Sequence, residues 1–338
     1  MLNIALLGAG RIGQVHARSI VSRPDCRLVA VADVVTEAAS KLAGQYGAVA
    51  RTADEILDDA ATDAILIATS THTHADLIER ATAAGKAVLC EKPVDLTLAR
   101  ALECQAHVVR TGRPVMIGFN RRFDPNFAAL KSAFDMGEIG RAELLAITSF
   151  DPAPPPVSYI ETSGGLFRDM TIHDFDIACW IMGGAPASVT ATGSSIVDSA
   201  IGKAGDVDTA VVTLAWADGR LAVIKNSRRA GYGYDQRVEL LGSGGLLRAN
   251  NVLETTLESV TAEGTRSAKP VYFFLERYMR AYAAEWSAFV EAIGAKTPLP
   301  VTIADGVTAL ACAEAAARSL QCGNTVAITP DMLEIRVS

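Results

Sequence analysis

The sequence predicts an α/β chain in two parts: a parallel sheet wrapped by helices, then an α+β part built on a mostly antiparallel sheet. Three observations carry this. In the first third, short apolar runs alternate with Ala-rich amphipathic stretches, the rhythm of strand–helix–strand units with a parallel sheet. Beyond residue 120 strands follow strands, which favours antiparallel pairing. The 338 residues are 50% hydrophobic and 20% charged, enough for the cores of one or two domains and too apolar for a disordered chain.

Taken in order, NIALLG (3–8), LVAVAD (28–33), DAILIAT (63–69), AVLCE (87–91) and PVMIGF (114–119) read as buried strands. The stretches 11–22, 36–46, 74–85 and 95–111 between them read as helices, because their apolar residues recur at helical spacing. The expected domains are therefore 1–120 and 121–338. In the second, a helix is expected at 169–182 and strands at 187–197, 208–216, 220–227, 236–242, 246–250 and 253–260. Helices at 276–294 and 303–321 close the chain, and the prolines of 153–156 read as an extended surface loop.

Charge and cysteines narrow the function classes. A formal charge of −7 and a pI near 5.3 argue against nucleic acid, which selects basic surfaces. No run is long enough for a membrane span. The start, MLNIALLGAG, runs straight into a strand instead of a signal peptide. The six cysteines include no C-x-x-C pair, so free thiols in the cytoplasm are expected.

The first chemical signal is GAGRIG, with Gly8, Gly10 and Gly13 after a strand and opening a helix. The first glycine makes the tight turn, the second admits a pyrophosphate, and the third allows close helix–strand packing. The helix N-terminus adds N–H groups and a positive dipole end. Asp33 ends the second strand 20 residues after Gly13, where a carboxylate bonds the adenosine ribose diol and repels a 2′-phosphate. Neither Val34 nor Val35 is basic, so NAD is expected over NADP. Arg11 and Ile12, within the loop, join the cofactor side.

CEKP (90–93) closes the AVLCE strand at the ligand-binding end of such sheets. Lys92 precedes a proline and is held out of helical geometry, so Glu91 and Lys92 are candidates for the cofactor's reactive end. STHTHADL (70–77), just after Thr69, invites a metal through His72 and His74. No acid or cysteine cluster completes four ligands, so no metal is expected and His74 reads as part of a polar loop at the cofactor.

His173, one of five histidines, sits in FRDMTIHDFD among Asp169, Asp174 and Asp176. On a helix, Asp169, His173 and Asp176 share a face, with Ile172, Phe175, Cys179 and Met182 forming an apolar stripe beside it. A hydrogen-bonded structural histidine and an acid/base group both fit. The aligned acids and the glycines at 164–165 favour the acid/base reading.

GAGRIGQVHA, AVAD, EKP, GFNRRFDP (118–125) and YIETSGGLFRDMTIHDFDIACWIMG (159–183) together resemble, in the same order, the Gfo/Idh/MocA family of NAD(P)-dependent oxidoreductases. The likeness is greatest to its inositol 2-dehydrogenases and spans essentially the whole chain. It implies a Rossmann domain followed by a domain with a large open sheet, a homotetramer, NAD as cofactor and a small polyol as substrate. It implies Lys92, Asp169 and His173 as catalytic residues, with His173 as base. Asn120 and Arg121 fall on the substrate-side positions of the FNRR motif, and Tyr232 and Tyr278 resemble aromatics that border the polyol. A cis Lys92–Pro93 bond is implied as well. Phe150 departs from the pattern, since similar sequences often carry arginine there. A polyol dehydrogenase acting on scyllo-inositol or a glucose-type ring, and a non-catalytic NAD-binding regulator, are the alternatives.

Overall fold

The computed structural model describes residues 1–334, which form two compact units. The first comprises Met1–Phe123, Ala281–Ala311 and the chain from Thr329; the second comprises Asp124–Arg280 and Cys312–Ile328. The expected boundary at 120 lies just inside the end of the first stretch, and 281–311 groups with the first unit instead of the second.

The first unit holds six strands: β1 (Leu2–Leu7), β2 (Cys26–Ala32), β3 (Val49–Ala50), β4 (Ala64–Ile67), β5 (Ala87–Glu91) and β6 (Val115–Gly118). They pair in the order β3-β2-β1-β4-β5-β6, all parallel. Parallel crossovers need helices that cover both faces, so each residue of β4 and β6 is buried and the strands read as unbroken apolar runs. Chain order reverses between β1 and β4. The carboxyl ends of those strands therefore open a crevice, the usual ligand position in such sheets.

The second unit carries β7 (Ala142–Phe150), β8 (Ser188–Ser194), β9 (Thr209–Ala215), β10 (Leu221–Ser227), β11 (Asp235–Gly242) and β12 (Gly245–Ala249). A hairpin of β13 (Glu258–Thr261) and β14 (Gly264–Ser267) stands apart, and β15 (Val326–Ala327) joins the edge. The sheet order is β12-β11-β7-β10-β9-β8-β15, antiparallel throughout except for the β7–β10 pair. Along β9 and β10 burial alternates residue by residue, because successive side chains point to opposite faces. Val212, Leu214 and Ile224 lie inside, while Val211 and Leu221 are exposed. This sheet has one covered face, unlike the first.

Neither β7 nor the helix before it is among the expected elements. β7 lies between β10 and β11, and the helix Pro125–Asp135 precedes it. The helix begins on an Asp124 side chain that accepts from the Asn126 and Phe127 N–H groups, with proline at its first position. The run expected as a strand at 253–260 is strand only in β13. All six cysteines are free. Among the described residues no helix is long and apolar enough to cross a membrane, and no group of three metal-ligating side chains occurs.

Candidate active site

The residues singled out in the sequence fall in both units. In the first, Gly8, Thr69, Lys92 and Asn120 each lie just beyond the carboxyl end of a strand: β1, β4, β5 and β6 respectively. The three loop glycines do three different jobs. Gly8 has φ +102°, and a Cβ there would stand 2.3 Å from the Ala68 carbonyl oxygen. At Gly13 a Cβ would stand 2.0 Å from the Gly8 carbonyl oxygen, so helix and strand meet in direct backbone contact. Beside Gly10 nothing lies within 4 Å of where a Cβ would be. No neighbour in the protein requires glycine at position 10, and the space beside it is open to an approaching ligand. Gly10 caps the helix Arg11–Val21 without a side-chain hydrogen bond, so the helix end has backbone donors to offer an anion. These residues fit a dinucleotide pyrophosphate.

Asp33 shapes the same loop. Its carboxylate accepts from the Ala9 N–H at 2.6 Å and the Val35 N–H at 2.8 Å, and stays half-exposed. Each oxygen retains a lone pair for a further donor, which suits a ribose hydroxyl. Arg11 is exposed and Ile12 half-exposed at the helix start, and Thr69 shares a 2.7 Å hydrogen bond with Thr73.

The Lys92–Pro93 bond is cis, as the resemblance implies. His74 is not an outward-facing loop residue. It is 1% exposed, with Nδ1 2.8 Å from the Pro93 carbonyl oxygen and Nε2 3.1 Å from that of Thr69. Burial holds its proton affinity below that of a free imidazole, although the two carbonyls pull the other way. Its ring therefore ties two loops together. Asn120 and Arg121 are buried in the turn Asn120–Phe123. Beside them Arg122 bonds Asp305 at 2.9 Å and the Pro300 carbonyl.

In the second unit the expected helix at 169–182 is two structures. A π-helical turn, Phe167–Thr171, leads into the α-helix Ile172–Met182. A π turn winds more residues per turn than an α turn, so Asp169, His173 and Asp176 do not keep the single-face register of one α-helix. Asp176 is 1% exposed, whereas Asp169 and His173 are half-exposed. Within Ile172–Met182 only His173 and Trp180, seven residues apart, escape full burial. The predicted apolar stripe of Ile172, Phe175, Cys179 and Met182 is buried.

Asp169 is held by residues that the sequence did not announce. Tyr159 Oη donates to its Oδ1 at 2.9 Å. Arg228, 1% exposed, brings Nη2 to 3.6 Å from Oδ2. Behind the helix, Asn226 of β10 accepts from Thr171 Oγ1 at 2.8 Å and donates to Asp174 at 2.7 Å. Asp174 is thus bound into the sheet, and His173 is the neighbour turned toward the half-exposed side. A buried arginine beside a carboxylate is costly to separate from it. Arg228 and Tyr159 therefore fix Asp169.

Tyr232 is about half-exposed and donates to Asp235 at 2.6 Å. Burial first, then the Asp235 carboxylate, pushes its hydroxyl up to about 12. Tyr278 is buried, with its hydroxyl 3.3 Å from Gln236 Oε1, which also accepts from Ser149 at 3.0 Å. Phe150 ends β7, opposite Asp235 and Ser227.

Comparison with known proteins covers both units. The family model for the oxidoreductase family with an NAD-binding Rossmann fold matches residues 2–119, and that for a GFO/IDH/MocA C-terminal domain matches 127–248. An inositol 2-dehydrogenase from Rhizobium meliloti (strain 1021) is 50% identical over 94% of this chain and 97% of its own length. The crystal structure of a myo-inositol dehydrogenase from Corynebacterium glutamicum superposes with a TM-score of 0.93 at 45% identity, covering 98% of this chain and 99% of that one. A scyllo-inositol dehydrogenase from Lactobacillus casei, solved with NAD(H) and scyllo-inositol bound, gives a TM-score of 0.90 at 29% identity, covering 97% and 99%.

Proposed function

The chain belongs to the Gfo/Idh/MocA family of NAD-binding oxidoreductases, and from that premise we propose that it oxidises the C2 hydroxyl of myo-inositol to 2-keto-myo-inositol. One observation carries this reading: the 50% identity to an inositol 2-dehydrogenase extends over 94% of this chain and 97% of that protein. Cofactor half and substrate half are therefore matched together.

Bound NAD supplies the acceptor for the hydride that leaves the alcohol carbon. Gly8, Gly10 and Gly13, with Arg11 and Ile12, hold its pyrophosphate, and Asp33 takes the ribose diol. Thr69, Glu91 and Lys92 border its reactive end, with His74 behind them. His173 accepts the hydroxyl proton as the carbonyl forms. Lys92 donates a hydrogen bond to the reacting oxygen and stabilises its developing negative charge. Asp169, fixed by Tyr159 and Arg228, orients the His173 ring or a neighbouring hydroxyl. Asn120, Arg121, Tyr232 and Tyr278 address the remaining hydroxyls. In this reading the enzyme is a homotetramer in the cytoplasm, which sedimentation and fractionation check.

A second reading, scyllo-inositol as the ring, is favoured by the 29%-identical scyllo-inositol dehydrogenase solved with NAD(H) and scyllo-inositol bound. Both are tested by following NADH formation with NAD and a panel of inositols and glucose-type sugars. The proposal expects the highest kcat/KM with myo-inositol. Turnover confined to scyllo-inositol supports the second reading, and no turnover with any ring overturns both.

A further inference from the structure

Resting on Lys92 as a catalytic residue, we infer that His16 and His74 are positioning residues for it, two buried imidazoles that grip the chain on either side of the lysine. A lysine is a long, flexible cation that gives up about 2 kcal/mol of rotamer freedom when fixed. Aiming it requires an anchored backbone, and both neighbours of Lys92 are anchored by histidine.

On one side, Glu91 Oε1 lies 2.7 Å from Nε2 of His16, which is fully buried in the helix that begins at the glycine loop. The other carboxylate oxygen accepts from the Lys92 backbone N–H at 3.3 Å. The Tyr282 ring meets His16 edge-on at 5.4 Å and fixes its plane. β6 leaves room for the carboxylate because position 118 is glycine: a Cβ there would come within 3.3 Å of the Glu91 carboxyl carbon. On the other side, His74 Nδ1 lies 2.8 Å from the Pro93 carbonyl oxygen and Nε2 lies 3.1 Å from that of Thr69. Lys92 therefore sits between one link to the glycine-loop helix and one link to the loop after β4. Neither ring has surface to touch a ligand, so their effect passes through the residue they flank.

The two contacts use different ring nitrogens, and that makes the inference testable. The amide nitrogen of asparagine takes the place of Nδ1, and that of glutamine the place of Nε2. His16 acts through Nε2, so His16→Gln preserves the contact and His16→Asn loses it. His74 acts on Pro93 through Nδ1, so His74→Asn preserves and His74→Gln loses. The four variants are compared in kcat for polyol oxidation per NAD-binding site, with KM and NAD affinity measured alongside. His16→Asn and His74→Gln should lose about tenfold to hundredfold in kcat, with much smaller changes in KM and NAD affinity, while His16→Gln and His74→Asn keep most of it. A purely structural role lowers the folded fraction without producing opposite amide preferences at the two positions. The same order at both, or unchanged kcat per NAD-binding site in all four, overturns the inference. Should a His16 variant not fold, Glu91→Ala reads the same contact from its partner, with the same loss expected.

A second readout does not depend on activity. After reductive methylation with isotope-labelled formaldehyde, the Lys92 NMR signal, assigned by its absence in Lys92→Arg, should move in His16→Asn and His74→Gln and stay in the other two. Wild-type protein that oxidises no polyol refutes the functional reading, and this signal still decides the positioning role: an unmoved signal in all four variants overturns it.

Discussion

Replacing Gly10 by alanine separates folding from cofactor binding. Gly10 has φ −67° and ψ −168°, a conformation that alanine adopts without strain, and the new methyl meets no protein atom within 4 Å. Two small folding effects oppose each other. The stiffer unfolded chain stabilises by about 0.4–1 kcal/mol, and the poorer N-cap costs about 1 kcal/mol. Stability should therefore stay within about 1 kcal/mol of wild type. Binding should respond differently, because the methyl stands on the face that a pyrophosphate approaches. At least a tenfold rise in the NAD Kd is expected, about 1.4 kcal/mol. Gly13→Ala and Gly8→Ala are the contrasting controls. Each drives a Cβ against a backbone carbonyl oxygen, and Gly8 has φ +102° besides, so each should cost about 1–3 kcal/mol or more of stability. Calorimetric NAD titration and thermal unfolding read the two effects. Gly10→Ala that binds NAD with wild-type affinity, or that unfolds as readily as Gly13→Ala, refutes this reasoning.

Three further outcomes are expected. Asp33→Ser should weaken NAD use and narrow the preference over NADP, read from kcat/KM with each cofactor; equal efficiencies in the wild type count against the assignment. Tyr159→Phe removes the hydroxyl that donates to Asp169 and should lower kcat about tenfold, since one such bond to a charged group is worth about 1.5–3 kcal/mol, while NAD affinity holds; an unchanged kcat argues against a fixed Asp169. His74 has a proton affinity lowered in the folded state from an ordinary 6.5, so as pH falls through that value the unfolded chain takes up the proton first. Its contribution to stability is present above that pH and is lost as pH falls through the lower folded value. Denaturation at a series of pH values should show a shallower acid loss in His74→Asn, and identical slopes contradict it.

The parallel sheet was legible because burial on both faces makes each strand a bare apolar run, and the expected strand at 87–91 coincides with β5. The antiparallel second sheet was legible because strand follows strand beyond residue 120, while its one covered face shows in the alternating burial of β9 and β10. β7 was not, because AELLAITSF reads locally as helix or strand, and only pairing with β10 and β11, distant in sequence, settles it. The helix Pro125–Asp135 was readable in principle from Asp124 and Pro125. At the site, the glycine loop, Lys92, Asp169 and His173 stood out by motif and chemistry. Arg228 and Tyr159 did not, since their partnership with Asp169 exists only after folding. The π turn before His173 was hidden for a related reason. Single π turns sit within α-helices and carry no composition signal of their own, and the difference shows only in which side chains end up buried. His74 looked like a loop polar residue because sequence carries no sign of the two carbonyls that enclose it.

The measurement that bears most directly on the account pairs NAD affinity with myo-inositol oxidation in His173→Asn. Asparagine keeps some hydrogen bonding but cannot take the alcohol proton. The account predicts a folded protein with near-normal NAD affinity and a rate of oxidation reduced by roughly 100- to 10,000-fold. The wild-type kcat/KM should rise with pH as the imidazole gives up its proton, and the variant's should lose that rise. A folded, NAD-binding His173→Asn that turns over at close to the wild-type rate contradicts the assignment of His173 as the base.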